Sequence, residues 1–574
     1  MAPDAQTSPP DGSPGRGEAE DAERANGSGR FRRSLRFTLP GCWGALLLAC
    51  LSFTPSLLPR GGVLQGLIAG ISGAIGYGLG VIAAYVWRAF ADREAREASY
   101  GSWRVFVICG IVLFGLSFGF GQYWQHEIRE LMGVTDYNVA TAVACPFIAA
   151  LVFWLLLLAG RGLRRLYRWL ARHLRRWIGP RAAGVVGWVV VAGLTWSVIS
   201  GVLLAGIVNT ANEAFSVRDT TTPEGVHQPT SALRSGGPGS LVPWDTLGYQ
   251  GRAFAGSGPT ARDIGAFTHR PAQEPVRAYA GLETADDAEA RAERAVADLR
   301  RAGGFERANL LVMTTTGSGW VDPAAVNSFE YLGNGDSATV ALQYSYLPSW
   351  LSYLVDQSKA REAGRELFDA VYDVWSKLPQ DQRPRLFVAG ESLGSFGGEA
   401  AFSGEYDLRN RTAGTLFAGP PNFNTLFRDF SDHREAGTPE IEPVFRQGRT
   451  VRFTDDPTAG TIPPEGEPWN GTRVLYLMHP SDPIVWWSPN LALSEPDWIG
   501  EAPGSDVLEG MVWIPFVTFW QVTADLPFST GVPDGHGHTY KAAYVDGWNA
   551  VMRPSGFTPQ DLDRLRDIIQ PPQD

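Results

Sequence analysis

Apolar positions are distributed along this chain in two different ways. Between about residues 37 and 208 they form long runs, at 37–58, 63–87, 105–124, 139–159 and 183–208, none interrupted by a charge. Each run reaches the ~20 residues that a helix needs to cross ~30 Å of hydrocarbon. The pattern predicts an all-α transmembrane bundle of five helices over residues 36–210. From about residue 209 onward the apolar stretches are short and change period. "EPVRAYAGL", "ANLLVMTTT", "SATVALQYSYL", "PRLFVAG", "AGTLFAG", "TVRFTD" and "TRVLYLMH" read as strands. "ADDAEARAERAVADLRRAG", with acids early and arginines late, reads as a helix. "QSKAREAGRELFDAVYDVWSKLP" and "AAYVDGWNAV" are also helical. Continuous apolar strands alternating with helices predict an α/β domain over residues 276–570, its sheet mostly parallel and covered on both faces. Residues 211–275 are broken by "SGGPGS" and "GSGP" and read as a linker that becomes an ordered arm near "SLVPWDTLGYQGRAF". The first 35 residues begin with Pro, Gly, Ser and charge, with too little apolar surface to offset chain entropy, and are expected to be a disordered tail.

Charge adds an orientation. Arg30, Arg32, Arg33 and Arg36 precede the first run, and Arg88, Arg93, Arg96 and Arg104 separate the second from the third. A third cluster, from Arg161 to Arg181, separates the fourth from the fifth. The other two connections hold only Arg60 and Arg129. Basic loops stay on the cytoplasmic side. The N-terminus is therefore expected in the cytoplasm, the α/β domain outside it, and the whole in a cell membrane as a multi-pass protein. "RGLRRLYRWLARHLRRWIG" reads as an interfacial helix against anionic lipid. The net charge of −11 argues against nucleic acid as a partner. Cys42, Cys50, Cys109 and Cys145 all lie in apolar runs, so the α/β domain can form neither a disulfide nor a Cys-based metal site. Asp534, His536 and His538 have no second ligand cluster to complete a zinc site, and no cofactor is expected.

Candidate chemistry centres on Gly390-Glu391-Ser392-Leu393-Gly394, a G-x-S-x-G match. A second match, Gly115 to Gly119 around Ser117, sits inside the third apolar run with no strand before it, and reads as helix packing. Ser392 differs in its surroundings: a strand-type stretch precedes it and a helix-type stretch follows. Strand, G-x-S-x-G and helix form the tight turn that presents a nucleophilic serine. Such a serine needs a base, and the base an acid, in the chain order Ser, acid, His. Asp482 follows the strand "RVLYLMH" and is the candidate acid. His536 and His538 both lie in "DGHGHTY", and His538 is favoured because it is closer to the helix that follows. His479 is expected to be structural. The oxyanion would be met by the N–H of Leu393 and by the "TTTGSGW" loop, with Gly317, Ser318, Gly319 and Trp320 as candidates. The segment 510–528, "GMVWIPFVTFWQVTADLPF", could be a lid, an acyl-binding wall, a surface dipping into lipid, or a core helix. Trp513, Phe516 and Trp520, with Trp320, are the candidate substrate contacts.

Taken together, "FTPSLLPRGGVLQGLIAGISGAIGYGLG", "SLVPWDTLGYQGRAF", "AGESLGSFGG", "HPSDPIVWW" and "DGHGHTY" resemble the actinobacterial membrane-attached α/β-hydrolase family, over roughly residues 36–570. The resemblance implies an α/β-hydrolase domain with Ser392 as nucleophile, and no known substrate. The expected activity is that of a membrane-anchored serine hydrolase acting on an acyl or lipid-like ester at a bilayer surface. An acyltransferase using the same residues, or a non-catalytic scaffold, would keep the same fold.

Overall fold

The computed structural model describes residues 37–94, 98–135, 139–198, 201, 205–458 and 462–570. The expected tail, residues 1–35, lies outside them. The first half is helical: Leu39–Leu51, Gly62–Phe90, Tyr100–Leu131, Val139–Leu174 and Pro180–Ser197. Among the described residues, three of these, Gly62–Phe90, Tyr100–Leu131 and Val139–Leu174, are long and apolar enough to cross a membrane. They carry large apolar side chains outward, such as Ile111 and Phe147, each more than 70% exposed. Gly44 and Gly76 let Leu39–Leu51 lie against Gly62–Phe90: a Cβ on either would come within 2.2 Å of the other's carbonyl oxygen.

The five-run pattern departs from this structure at both ends. The run 37–58 is helical only to Leu51. Thr54 precedes Pro55, which disfavours a helical backbone there. Beyond the break Phe53, Leu57 and Leu58 are fully buried. Leu57 and Leu58 join the core of the α/β domain rather than facing lipid. One apolar run thus serves two different burials. In the fifth run the helix Pro180–Ser197 has 18 residues, and the next described helix is Ala205–Asp219. The basic stretch expected as a separate interfacial helix begins inside Val139–Leu174 without a break.

Among the described residues the second half holds seven strands: β1 (Val276–Ala280), β2 (Asn309–Thr314), β3 (Ser337–Leu342), β4 (Arg385–Glu391), β5 (Gly414–Ala418), β6 (Val451–Thr454) and β7 (Arg473–Leu477). All pairings are parallel, in the order β1-β3-β2-β4-β5-β7-β6. Every residue of β2 and β3 is buried. Alternate residues of each strand feed two apolar clusters, one per face. Val312 and Val388 meet Leu367 and Phe396 on one side; Leu311 and Phe387 meet Phe329 and Trp548 on the other. The helices covering the faces start where local chemistry allows. Asp287 accepts the Ala290 N–H at 2.8 Å to cap Ala288–Arg301. The carboxyl ends of β2, β4, β5 and β7 open on one edge, where an open parallel sheet places its ligands.

Candidate active site

Ser392 is the first residue after β4, at φ +53° and ψ −126°. A non-glycine residue in this region costs ~1–3 kcal/mol and persists only where its surroundings enforce it. Here the two motif glycines do so. A Cβ on Gly390 would lie 2.3 Å from the Gly394 carbonyl carbon, and one on Gly394 would lie 2.4 Å from Thr314 O. The strand and the helix Leu393–Glu399 can touch only because both positions lack side chains. The Ser392 N–H donates to Ala418 O at 3.0 Å, tying the turn to β5. Ser395 Oγ donates to Ser392 O at 2.7 Å. Ser117, the other match, sits mid-helix in Tyr100–Leu131.

Asp482 follows β7 and caps Pro483–Trp486, accepting the Ile484 N–H at 2.8 Å. Its Oδ2 stands 2.6 Å from His538 Nδ1 and accepts the Tyr540 hydroxyl at 2.7 Å. Burial opposes charge on Asp482, but the imidazole and these hydrogen bonds outweigh it and hold the carboxyl below its ordinary value. Burial likewise opposes charge on His538. The Asp482 carboxylate, with smaller contributions from Glu391 and Asp322, reverses that and raises the imidazole above its ordinary value. With Nδ1 committed to Asp482, Nε2 is buried and has no protein hydrogen-bond partner. The imidazole edge fits against Gly419, where a Cβ would lie 2.3 Å from Cε1. His538 N–H donates to Ser529 O at 2.8 Å.

His536 points elsewhere, its Nδ1 3.2 Å from Asp506 Oδ2. His479 is a buttress: it stacks on Tyr540 at 4.2 Å, and its Nδ1 is 2.9 Å from Gly537 O. Ser392 and His538 line one cavity of about 770 Å³ with Thr316, Trp320, Asp322 and Glu391. Among the described residues no three His, Cys, Asp or Glu side chains form a group that could hold a metal ion.

Two expectations need correction. The Gly317 N–H donates to the Tyr344 hydroxyl at 2.8 Å, and the Gly319 and Trp320 N–H groups both donate to Thr316 O at 3.1 Å. Tyr344 takes the Gly317 donor and the turn itself takes that of Gly319, so both are already engaged where an oxyanion would need them. Ser318 lines an adjoining cavity of about 220 Å³ instead. The hydroxyl left over is that of Thr316, buried without a protein partner and lining both cavities. Trp320 does reach the Ser392 cavity, but Trp513, Phe516 and Trp520 do not line it. Trp513 Nε1–H donates to Leu491 O at 2.8 Å, and the Phe516 N–H to Ala492 O at 2.9 Å. The helix Val517–Asp525, which carries Trp520, packs against Gly62–Phe90. The apolarity of 510–528 is that of a docking surface for the helical region.

Glu391, Asp322, Tyr540, Tyr544 and Thr316 escaped the reading of the sequence. Glu391 stood inside the motif, and a charged residue ending a buried strand was its one local signal. Asp322 was marked by nothing but a turn before Pro323.

The family comparison agrees with this architecture. A model described as alpha/beta-hydrolase family matches residues 276–565, and a model of that family's N-terminus matches residues 53–259. The chain belongs to this alpha/beta-hydrolase family, with an N-terminal helical region that carries membrane-type helices. No curated protein and no solved structure matches it.

Proposed function

We propose that this protein is a membrane-anchored serine hydrolase that cleaves an acyl ester through Ser392, His538 and Asp482. One observation carries the reading. Ser392 and His538 line one cavity, and there Nδ1 is held by Asp482 while Nε2 has no protein hydrogen-bond partner. His538 Nε2 takes the Ser392 proton as Oγ attacks the acyl carbonyl carbon. The oxyanion is met by the Leu393 N–H, which as the first residue of its helix has no acceptor within it, and by the Thr316 hydroxyl. His538 then returns the proton to the departing alcohol, and water attacks the acyl-serine by the same route in reverse. Asp482 fixes the imidazole tautomer and favours its charged form in the transition state.

The arrangement of arginines supports an outer-face location for the hydrolase domain. Arg60 and Arg129, from the two arginine-poor connections, both stand where the helical region meets that domain. Arg60 Nε lies 3.3 Å from Asp525 Oδ1, and Arg129 Nη2 donates to Arg60 O at 3.0 Å. The arginine clusters belong to the connections at the other ends of these helices. By the rule that basic loops stay inside, the hydrolase domain is then extracytoplasmic. Counting Leu39–Leu51 and the stretch from Pro180 as crossings gives five, with a cytoplasmic N-terminus.

The test is reaction of membranes carrying the protein with a fluorophosphonate probe. The parent and Ser117→Ala are expected to label, and Ser392→Ala is not. Equal labelling of Ser392→Ala, or none of any form, removes the nucleophile from the reading.

A further inference from the structure

Asp482 and His538 are 56 residues apart in the chain, and each is preceded by a residue that the proposed reaction leaves unused: Ser481 before the acid, Gly537 before the base. These two neighbours are joined. The Gly537 N–H donates to Ser481 Oγ at 2.8 Å. The same hydroxyl donates to Asp506 Oδ2. A hydroxyl has one proton and two lone pairs, so Ser481 serves both partners at once. His536 meets the same carboxylate oxygen, its Nδ1 3.2 Å away. A carboxylate oxygen only accepts, so the His536 Nδ1–H and the Ser481 hydroxyl both donate to Asp506.

One side chain thus holds the His538 loop at two points, directly at His536 and through Ser481 at Gly537. Ser481 and Asp506 are buried, and His536 is half-buried. Buried hydrogen bonds of this kind keep their geometry, because breaking one strands a group that water does not reach. The loop needs such anchorage. Gly535 and Gly537 sit at φ +85° and +52°, a region that glycine enters and leaves at no steric cost. Asp482, in contrast, caps a helix just after β7 and is held by its own element.

The place of the imidazole depends on this. His538 Nδ1 lies 2.6 Å from Asp482 Oδ2, and a shift of about an ångström in either loop ends that hydrogen bond. We propose that Asp506 and Ser481 are positioning residues that clamp the residue before His538 to the residue before Asp482, keeping the imidazole on its acid and in the Ser392 cavity. His536 belongs to the same clamp, as a fixed donor and not as a base. This rests on the reading of His538 as the base.

The experiment measures the rate constant and the endpoint of fluorophosphonate labelling, with kcat and KM on a chromogenic ester, in full-length protein in detergent micelles. Ser481→Ala and Asp506→Ala are expected to lower kcat and the labelling rate constant at least about tenfold, with KM and the endpoint at parental values. The endpoint counts folded sites, so a variant that is merely less stable loses endpoint and keeps its rate constant. Asp506→Asn retains an oxygen for both donors and is expected to recover most of the rate. The double variant Ser481→Ala/Asp506→Ala is expected to be no slower than Asp506→Ala, because both changes break one linkage. Amide hydrogen exchange of the segment 529–540, read by mass spectrometry, follows the clamp without using activity. It is expected to quicken in Ser481→Ala and Asp506→Ala and to stay parental in Asp506→Asn. Parental rate constants in both alanine variants, a loss confined to the endpoint, or an Asp506→Asn as slow as Asp506→Ala overturns the proposal. If Ser392→Ala labels like the parent, the hydrolase reading falls, while the exchange rates still decide whether Asp506 and Ser481 hold the His538 loop.

Discussion

Thr316 shows how one hydroxyl can matter more than the glycines beside it. The turn 316–320 closes on the Thr316 carbonyl and is braced from outside by the Tyr344 hydroxyl, which together consume the backbone donors of Gly317, Gly319 and Trp320. The Thr316 hydroxyl remains buried and unpaired in the Ser392 cavity. A group in that position has already lost its water and gains most when charge develops beside it. Thr316→Val keeps the shape and removes the donor. It is expected to lower kcat on a chromogenic ester by roughly 10²–10³-fold with KM little changed, the loss usual for one oxyanion donor. A variant with parental kcat would remove Thr316 from the oxyanion site. The juxtaposition of Asp482 with His538, and of Ser392 and His538 along one cavity, was legible because each residue follows a recognisable strand or precedes a recognisable helix. The surroundings of Thr316, Asp322 and Glu391 were not, because they depend on which hydrogen bonds neighbouring groups have already taken.

At the scale of elements, the strands were legible because burial on both faces leaves an unbroken apolar run. The glycines that let these elements touch were less so. The two motif glycines were read as such, but Gly419, just after β5, was not singled out. It sits at φ +52°, and a Cβ there would meet His538 Cε1 at 2.3 Å and Nδ1 at 2.6 Å. Its need for hydrogen arises from a loop more than a hundred residues away, which no local pattern records. Gly419→Ala must therefore displace the imidazole or the end of β5. The backbone strain is ~1–3 kcal/mol, modest for a whole domain, whereas a base moved by an ångström costs on the order of 10²-fold in rate. The variant is expected to stay folded by circular dichroism and to react with the fluorophosphonate probe at least about tenfold more slowly. Parental reactivity would mean that the His538 loop has slack the packing does not show. The first apolar run and the 510–528 segment misled for a related reason. Hydrophobicity records that a surface is covered, not whether lipid, core or another region covers it.

Across the whole molecule, the helical region and the hydrolase domain meet at a buried knot around Asp525. Ser56 Oγ donates to Asp525 Oδ2 at 2.7 Å. Gln521 Nε2 donates to Thr54 O at 2.9 Å. Leu58 packs toward Gly537, the residue before His538. The 310 turn after Asp525 leads to Ser529, whose carbonyl holds the His538 N–H. The loop from Ser52 to Arg60 is thus built into the wall behind His538. Its one weak joint is the Arg60–Asp525 pair, fully buried, with the three guanidinium nitrogens lacking hydrogen-bond partners. Burial pushes Asp525 up to about 6 and Arg60 down despite their attraction. Such a pair adds little by itself, but removing one partner strands the other charge. Asp525→Asn keeps an oxygen for the Ser56 donor and leaves Arg60 uncompensated, an expected cost of ~3–5 kcal/mol. Arg60→Met/Asp525→Asn removes both charges and keeps the stem packing, so it is expected to recover more than half of that loss. Thermal unfolding of the full-length variants in detergent measures both, and probe labelling reports on His538. If the double variant is as unstable as Asp525→Asn alone, the knot is held by its hydrogen bonds rather than its charges. If Asp525→Asn matches the parent in both stability and labelling, the helical region does not support the His538 loop through this contact.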